Sequence, residues 1–222
     1  MRIAVLQHVS YEHLPGLRIG DADLSLECFR ADRGELPGAD AFDGLCILGG
    51  PCNVDDPRHP WLRDERTLIE AAIGQGRPVL AICMGAQQLT RVRGAAVRRN
   101  PVSEIGWFPL RLTDAGRRSP LRHLEGLEVL HWHDDACGLP TGASLLADSA
   151  HCPVQAYAIG DRLLALQFHA EWTGDTVEAL IADVGLPPES PSIQSAERLR
   201  KNDSEPMNKA FSALFREYFA PR

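Results

Sequence analysis

Pro78-Val79-Leu80-Ala81-Ile82-Cys83-Met84-Gly85-Ala86-Gln87-Gln88-Leu89 carries the first decision about this chain. The apolar run Pro78–Ile82 reads as a strand buried on both faces of a parallel sheet. A helix over Met84–Arg93 starts within two residues, with Gly85 at the bend. Such a strand-turn-helix elbow holds one side chain, Cys83, at the top of a sheet. There it faces the positive end of the following helix, where an anion is favoured. The bland alternative is a core cysteine at a strand end, since free cysteine is among the most buried residue types.

Outward from the elbow the same texture repeats. Ile3–Val9, Leu24–Phe29 and Gly44–Leu48 read as strands, and Trp61–Ile73 reads as a helix closed by Gly74 and Gly76. Strand and helix alternate, which implies an α/β sheet with crossover helices. Beyond the elbow, Gly106–Leu112, Leu127–Trp132, Ser144–Asp148, Val154–Ile159 and Leu163–Phe168 are short, turn-separated strands. They predict an antiparallel or mixed extension of the sheet. Thr173–Val184 reads as a helix. Residues 185–195 hold Pro187, Pro188 and Pro191 and read as a connector. Ala196–Asp203 is charged, and Ser192–Asp203 reads as a solvated helix rather than a lid or docking segment. Asn208–Phe219 spaces Phe211, Leu214, Phe215 and Tyr218 as a helix docked on the body. The expected organisation is one domain over 1–184, with 185–222 as a connector and helices packed on it.

Composition narrows the function. The 222 residues are 44% hydrophobic and 24% charged, close to the globular average. The net charge of -7 argues against a nucleic-acid partner, because phosphate binding needs clustered cations. The only lysines, Lys201 and Lys209, lie in the tail. A core Schiff-base lysine and a GxxxxGK phosphate loop are therefore both absent. No apolar run approaches the ~18 residues of a membrane helix. The start reads as a first strand rather than a signal peptide, so a cytoplasmic protein with no membrane partner is expected. The six cysteines form no CxxC pair, so neither a zinc ribbon nor a redox motif is indicated. Apart from Cys83 they are expected to be small buried apolar residues.

Two further stretches fit the elbow. In Leu163-Leu164-Ala165-Leu166-Gln167-Phe168-His169-Ala170-Glu171, an apolar strand ends in His-x-Glu. Residues i and i+2 of an extended chain project to one side, so Glu171 can orient His169 and stabilise its imidazolium. Alone, this stretch would be better explained as a solvated strand end. In Leu48-Gly49-Gly50-Pro51, two glycines after a buried strand let a backbone N–H point at an oxyanion, although many βα turns are Gly-rich. All three stretches lie at carboxyl ends of predicted strands, where open α/β sheets bind ligands. A thiol, an oriented base and an oxyanion hole together suit acyl transfer through a thioester, which requires neither cofactor nor metal.

These motifs resemble the class I (triad) glutamine amidotransferases. That family carries Gly-Gly-Pro after a strand, then G-x-C-x-G-x-Q, then a late F-H-P-E. The matches are Gly49-Gly50-Pro51, Ala81-Ile82-Cys83-Met84-Gly85-Ala86-Gln87 and Phe168-His169-Ala170-Glu171. Glu104-Ile105-Gly106-Trp107 and His131-Trp132-His133-Asp134-Asp135 are similar to segments of free-standing proteins resembling the amidotransferase domain of GMP synthase. The resemblance covers about residues 1–184. It implies a flavodoxin-like α/β fold: an open, mostly parallel central sheet flanked by helices, with an antiparallel extension. It implies a Cys83-His169-Glu171 triad, an oxyanion hole from the N–H groups of Gly50 and Met84, and glutamine contacts from Gly49, Gln87 and Asp135. The implied substrate is L-glutamine or another γ-glutamyl compound, cleaved to glutamate and ammonia.

Three positions depart from the family pattern. Ala81 replaces a glycine. Ala170 replaces the proline between His and Glu, which is expected to loosen that strand end. Asp134 replaces a glycine, and if that glycine has a positive φ, aspartate tolerates it better than most residues. Cys52, just past the Gly-Gly-Pro turn, reads as a plain loop residue rather than a resolving thiol.

Other readings stay open at this level. The same triad suits a γ-glutamyl peptide or amide hydrolase. A catalytically silent module of the same fold, used for binding or regulation, is a second class. His131-x-His133-x-Asp135 resembles a metal-ligand run, but Ala136 stands where a further histidine belongs, so no metal is expected. About 50 residues follow Glu171, too few for an ATP-dependent synthetase domain of ordinary size. The chain is thus expected to work alone or to meet an ammonia-accepting synthetase subunit.

Overall fold

The computed structural model describes residues 1–14, 17 and 24–220. In chain order the elements are β1 (Arg2–Gln7), β2 (Ser25–Arg30), β3 (Gly44–Ile47), α1 (Trp61–Gly74), β4 (Val79–Ile82) and α2 (Met84–Val92). There follow β5 (Val97–Pro109), β6 (Arg111–Leu112), α3 (Asp114–Arg117), β7 (Glu128–Cys137), β8 (Ser144–Asp148), β9 (Ala156–Ile159) and β10 (Leu163–Leu166). The last elements are α4 (Gly174–Val184), α5 (Ala196–Lys201) and α6 (Glu205–Tyr218).

Eight strands form one sheet in the order β2-β1-β3-β4-β10-β9-β8-β6. The first five pair in parallel and β9, β8 and β6 extend the sheet antiparallel. This is the expected mostly parallel α/β sheet with its antiparallel extension. The order of the first five strands is that of flavodoxin-like folds.

Strand periodicity sorts the core into two layers. Ile3, Val5, Cys46, Leu80 and Ile82 face the side covered by Leu180 of α4 and by Phe211, Leu214 and Phe215 of α6. Their neighbours Ala4, Leu6, Leu45, Ile47, Val79 and Ala81 face Leu68, Ile69 and Ala72 of α1 and Ala86 and Leu89 of α2. Successive side chains of a strand point to opposite faces, so a continuous apolar run must be covered twice. Each fully buried Leu, Ile or Phe contributes roughly 1.5–3 kcal/mol.

The region 97–137 departs from expectation. Instead of short strands in the main sheet, β5 and β7 form a separate antiparallel ribbon with a register shift between Arg99 and Glu104. The segment after Pro191 is also not merely solvated. Ile193 bridges Ile105, Gln194 hydrogen-bonds the backbone of Trp107 on both sides, and Leu199 of α5 is buried with its carbonyl accepting from Trp107 Nε1. In α6, Tyr218 donates to the carbonyls of Val79 and Arg162. Residues 221 and 222 of the tail lie outside the described residues. No helix among the described residues is long and apolar enough to cross a membrane.

Candidate active site

Strands β1, β3, β4 and β10 are neighbours and end together, with pairings Leu6↔Ile47, Ile47↔Ala81 and Leu166↔Ile82. The residues just past those ends are His8, Gly49-Gly50, Cys83 and His169. The topology therefore gathers groups that lie far apart along the sequence.

Cys83 has φ 51° and ψ -111°, and it is the only non-glycine residue with positive φ among those described. Such a conformation costs of order 1–3 kcal/mol and persists only when its surroundings hold it. Its N–H donates to Leu166 O at 2.7 Å, and its carbonyl accepts from Gln87 N–H at 3.0 Å. Gly85 is needed for a reason other than φ. A Cβ there would stand 2.5 Å from the Ile47 carbonyl oxygen, so any side chain would push α2 off β3.

His169 and Glu171 are both 1% exposed, with His169 Nδ1 2.6 Å from Glu171 Oε1. Burial opposes a charge on His169. The charges of Glu171 and Cys83, with hydrogen bonds from the ring to both, outweigh it and raise His169 well above the ordinary imidazole range. The imidazole stacks on Trp172 at 3.6 Å between centroids. Ala170 does not loosen this turn as expected. Its N–H donates to Glu171 Oε2 at 2.9 Å, a bond that proline cannot make. Asn208 of α6 then donates to the carbonyls of both Ala170 and Trp172, at 3.0 and 2.9 Å.

The remaining expected residues fall around one cavity of about 460 Å³ whose wall includes Cys83, His169, Gly50, Met84, Gln87 and Asp135. The Met84 N–H stands at the first position of α2, where a helix supplies no acceptor. Gln87 donates to Asp135 O at 3.3 Å, and Asp135 Oδ2 accepts from Asn53 at 2.7 Å. Gly49 turns its carbonyl to His8 and is not part of the cavity wall. The polar residues of the cavity wall include Asn53, Arg99, Asp134 and Asp135. Its apolar residues include Ile105, Trp132, Trp172, Leu180, Val184 and Pro187. Asp134 pairs with Arg99 at 3.2 Å and accepts from Ser103, and its φ is not positive, so the freedom of a glycine is unused here.

All six cysteines are free. Cys46, Cys137 and Cys152 are buried as expected, whereas Cys28 is exposed and Cys52 half-buried. Cys52 lies on the cavity wall, its Sγ 3.5 Å from Met84 Sδ, and burial pushes its thiol up to about 11. The ligand atoms of Glu104, His133 and Cys152 lie within 4.8 Å of one another. They fit a metal poorly. Glu104 Oε1 already accepts from Ser149, and Oε2 from Gln155 and His133, while burial holds the Cys152 thiol up at about 11. The cluster reads as a hydrogen-bonded post beneath the ribbon.

Two residues escaped the sequence reading. His8 sits at a strand's carboxyl end, the criterion that found the others, and that signal was there to be used. Glu12 gave no signal. It is buried in the loop after β1, lines the cavity, and its Oε2 has no hydrogen-bond partner among the described residues. A Cβ on Gly49 would lie 2.4 Å from that oxygen and 3.0 Å from His169 Cε1, which places Glu12 beside His169. Burial first, and Glu171 next among the groups that raise it, lift the Glu12 carboxyl to about 7, against the opposing pull of His169 and His8.

Comparison with known proteins agrees with this geometry. Residues 9–184 match the family model of glutamine amidotransferase class-I. The chain belongs to the class I glutamine amidotransferases. It is 38% identical to the glutamine amidotransferase-like protein YfeJ of Salmonella typhimurium, over 82% of this chain and 80% of that one. It is 27% identical to γ-glutamyl peptidase 3 of Arabidopsis thaliana, over 73% of this chain and 69% of that one. A GMP synthase of Leptospira interrogans is 30% identical over 59% of this chain, but the match spans only 21% of that longer protein. Among solved structures, a glutamine amidotransferase from Methylobacillus flagellatus superposes with a TM-score of 0.86 at 26% identity, covering 97% of this chain and 92% of that one.

Proposed function

We propose that this amidotransferase hydrolyses a γ-glutamyl amide, L-glutamine in the first instance, through a Cys83 thioester. The observation that supports this most is the convergence in one cavity of a strained Cys83 elbow and the His169–Glu171 pair. Cys83 Sγ attacks the side-chain amide carbon, and its proton is carried by His169. The oxygen becomes an oxyanion facing the N–H groups of Gly50 and Met84. His169 then protonates the leaving nitrogen, the C–N bond breaks, and ammonia departs. Water next gives a proton to His169 and attacks the thioester. The C–S bond breaks, glutamate leaves, and the proton returns to sulfur. Glu171 holds the ring and balances the imidazolium throughout. Gln87 and Asp135 hold the amino-acid end of the substrate.

The test is release of ammonia and glutamate from L-glutamine by the purified chain, with Cys83→Ala as control. Turnover that disappears in the variant supports the reading. No turnover from folded wild type refutes autonomous glutaminase activity and leaves activation by an ammonia-accepting synthetase subunit. A second reading, hydrolysis of larger γ-glutamyl amides, has one observation in its favour. The apolar wall of Trp172, Leu180, Val184 and Pro187 has no use for ammonia as leaving group but suits an apolar amine. Parallel assays with γ-glutamyl alkylamides separate the two.

A further inference from the structure

His8 is buried, and each ring nitrogen faces an acceptor. Nδ1 lies 2.7 Å from the Gly49 carbonyl oxygen and Nε2 lies 2.6 Å from Glu65 Oε2. Against a carbonyl and an ionised carboxylate both nitrogens donate, which makes the ring an imidazolium. Burial opposes that charge, but Glu65, the Gly49 carbonyl and Glu12 outweigh it and raise His8 above the ordinary imidazole range. Every neighbouring element contributes to this setting. Glu65 comes from α1, and Gln88 of α2 also donates to its Oε1 at 3.1 Å. Glu12 comes from the loop after β1, and Asp32 from the turn after β2 interacts with His8 across it. The indole of Trp61 stacks on the ring at 5.1 Å, a cation–π contact.

The Gly49–Gly50 peptide is trans, so its C=O and N–H point in opposite directions. A grip on the Gly49 carbonyl on one side therefore aims the Gly50 N–H to the other. Gly50 borders the cavity with Cys83 and Met84, whereas the Glu65 partner of His8 lies behind it, fully buried. We propose that His8, clamped by Glu65, is a positioning residue that fixes the oxyanion-hole peptide of this enzyme. The role rests on amide hydrolysis at Cys83. His8 touches no substrate and acts only through the peptide it holds. The hole is thereby formed by the chain itself before substrate arrives.

The test compares His8→Ala with His8→Asn. An asparagine amide nitrogen occupies nearly the place of Nδ1, so it keeps a donor to Gly49 while losing Glu65. His8→Ala should lower kcat by about 10²-fold, the loss of one oxyanion donor, with KM within about two-fold. His8→Asn should restore at least about ten-fold of that loss. Alkylation of Cys83 gives a readout that needs no turnover. A chloroketone analogue of glutamine passes through an oxyanion and should react more slowly in His8→Ala, whereas iodoacetamide should not. Equal kcat in both variants and wild type, equal losses in both variants, or equal slowing by both reagents would overturn the proposal. If His8→Ala does not fold, the His8→Asn kcat and reagent ratio decide: a loss confined to KM, or slowing by both reagents, overturns it. If wild type cleaves no amide, the reading of function fails, while the ratio of the two alkylation rates still reports on His8.

Discussion

Glu12→Gln should make the protein more stable, and only above a defined pH. The glutamine keeps the shape of the side chain and removes its charge. In the unfolded chain the carboxyl titrates at its ordinary 4.5, whereas in the fold it titrates at about 7. The folded state thus holds this proton more tightly than the unfolded state. Stability must therefore fall as pH rises through the window 4.5–7. At ~1.36 kcal/mol per pKa unit, the full displacement is worth about 3 kcal/mol. Below pH 4.5 the carboxyl is neutral in both states, and the variant should match wild type. Above pH 7 the variant should exceed wild type by about 3 kcal/mol, or roughly 6–12 °C in Tm for a chain of this size. Urea unfolding of both proteins from about pH 4.5 to about pH 8 measures the difference directly, with His8 and His169 as the groups whose own titration the loss of the Glu12 charge also moves. A difference that stays constant with pH, or one below about 1 kcal/mol at the alkaline end, would refute the reasoning.

Two other outcomes follow from the geometry. Glu171→Gln removes the charge that does most to hold His169 protonated against burial; kcat should drop roughly 10³–10⁴-fold with a melting temperature near that of wild type, read by ammonia release and thermal unfolding. Gly85→Ala drives a Cβ to 2.5 Å from the Ile47 carbonyl and should destabilise the protein by about 1–3 kcal/mol, measured by denaturant unfolding; an unchanged midpoint would show that α2 can move away freely.

The sequence was legible where burial on two faces forces a continuous apolar run. Such runs end at Ile47, Ile82 and Leu166, and the residues beyond them could be named from the chain alone. The ribbon was not legible for the same reason. Val97-Arg98-Arg99-Asn100-Pro101 is polar, interrupted by proline, and breaks register at its bulge, so neither an apolar run nor clean alternation marks it. Leu199 sits alone among charges in Ala196–Lys201, and nothing local shows that its carbonyl will meet the Trp107 indole. Glu12 depends wholly on tertiary folding, which brings a loop carboxyl against a histidine 157 positions away (169 less 12). Cys83, His169 and Glu171 were readable because each lies just past the end of an apolar strand. Glu12 and Asn208 were not, because their partners come from other elements.

The paired hydrogen bonds from Asn208 to the Ala170 and Trp172 carbonyls tie the turn that carries Glu171 to the last helix of the chain. Chain order puts this anchor tens of residues beyond the turn it holds. Loss of α6 would free both carbonyls, and with them the backbone on which Glu171 sits. The far end of the sequence thus bears on the geometry of the His169–Glu171 pair without lining the cavity.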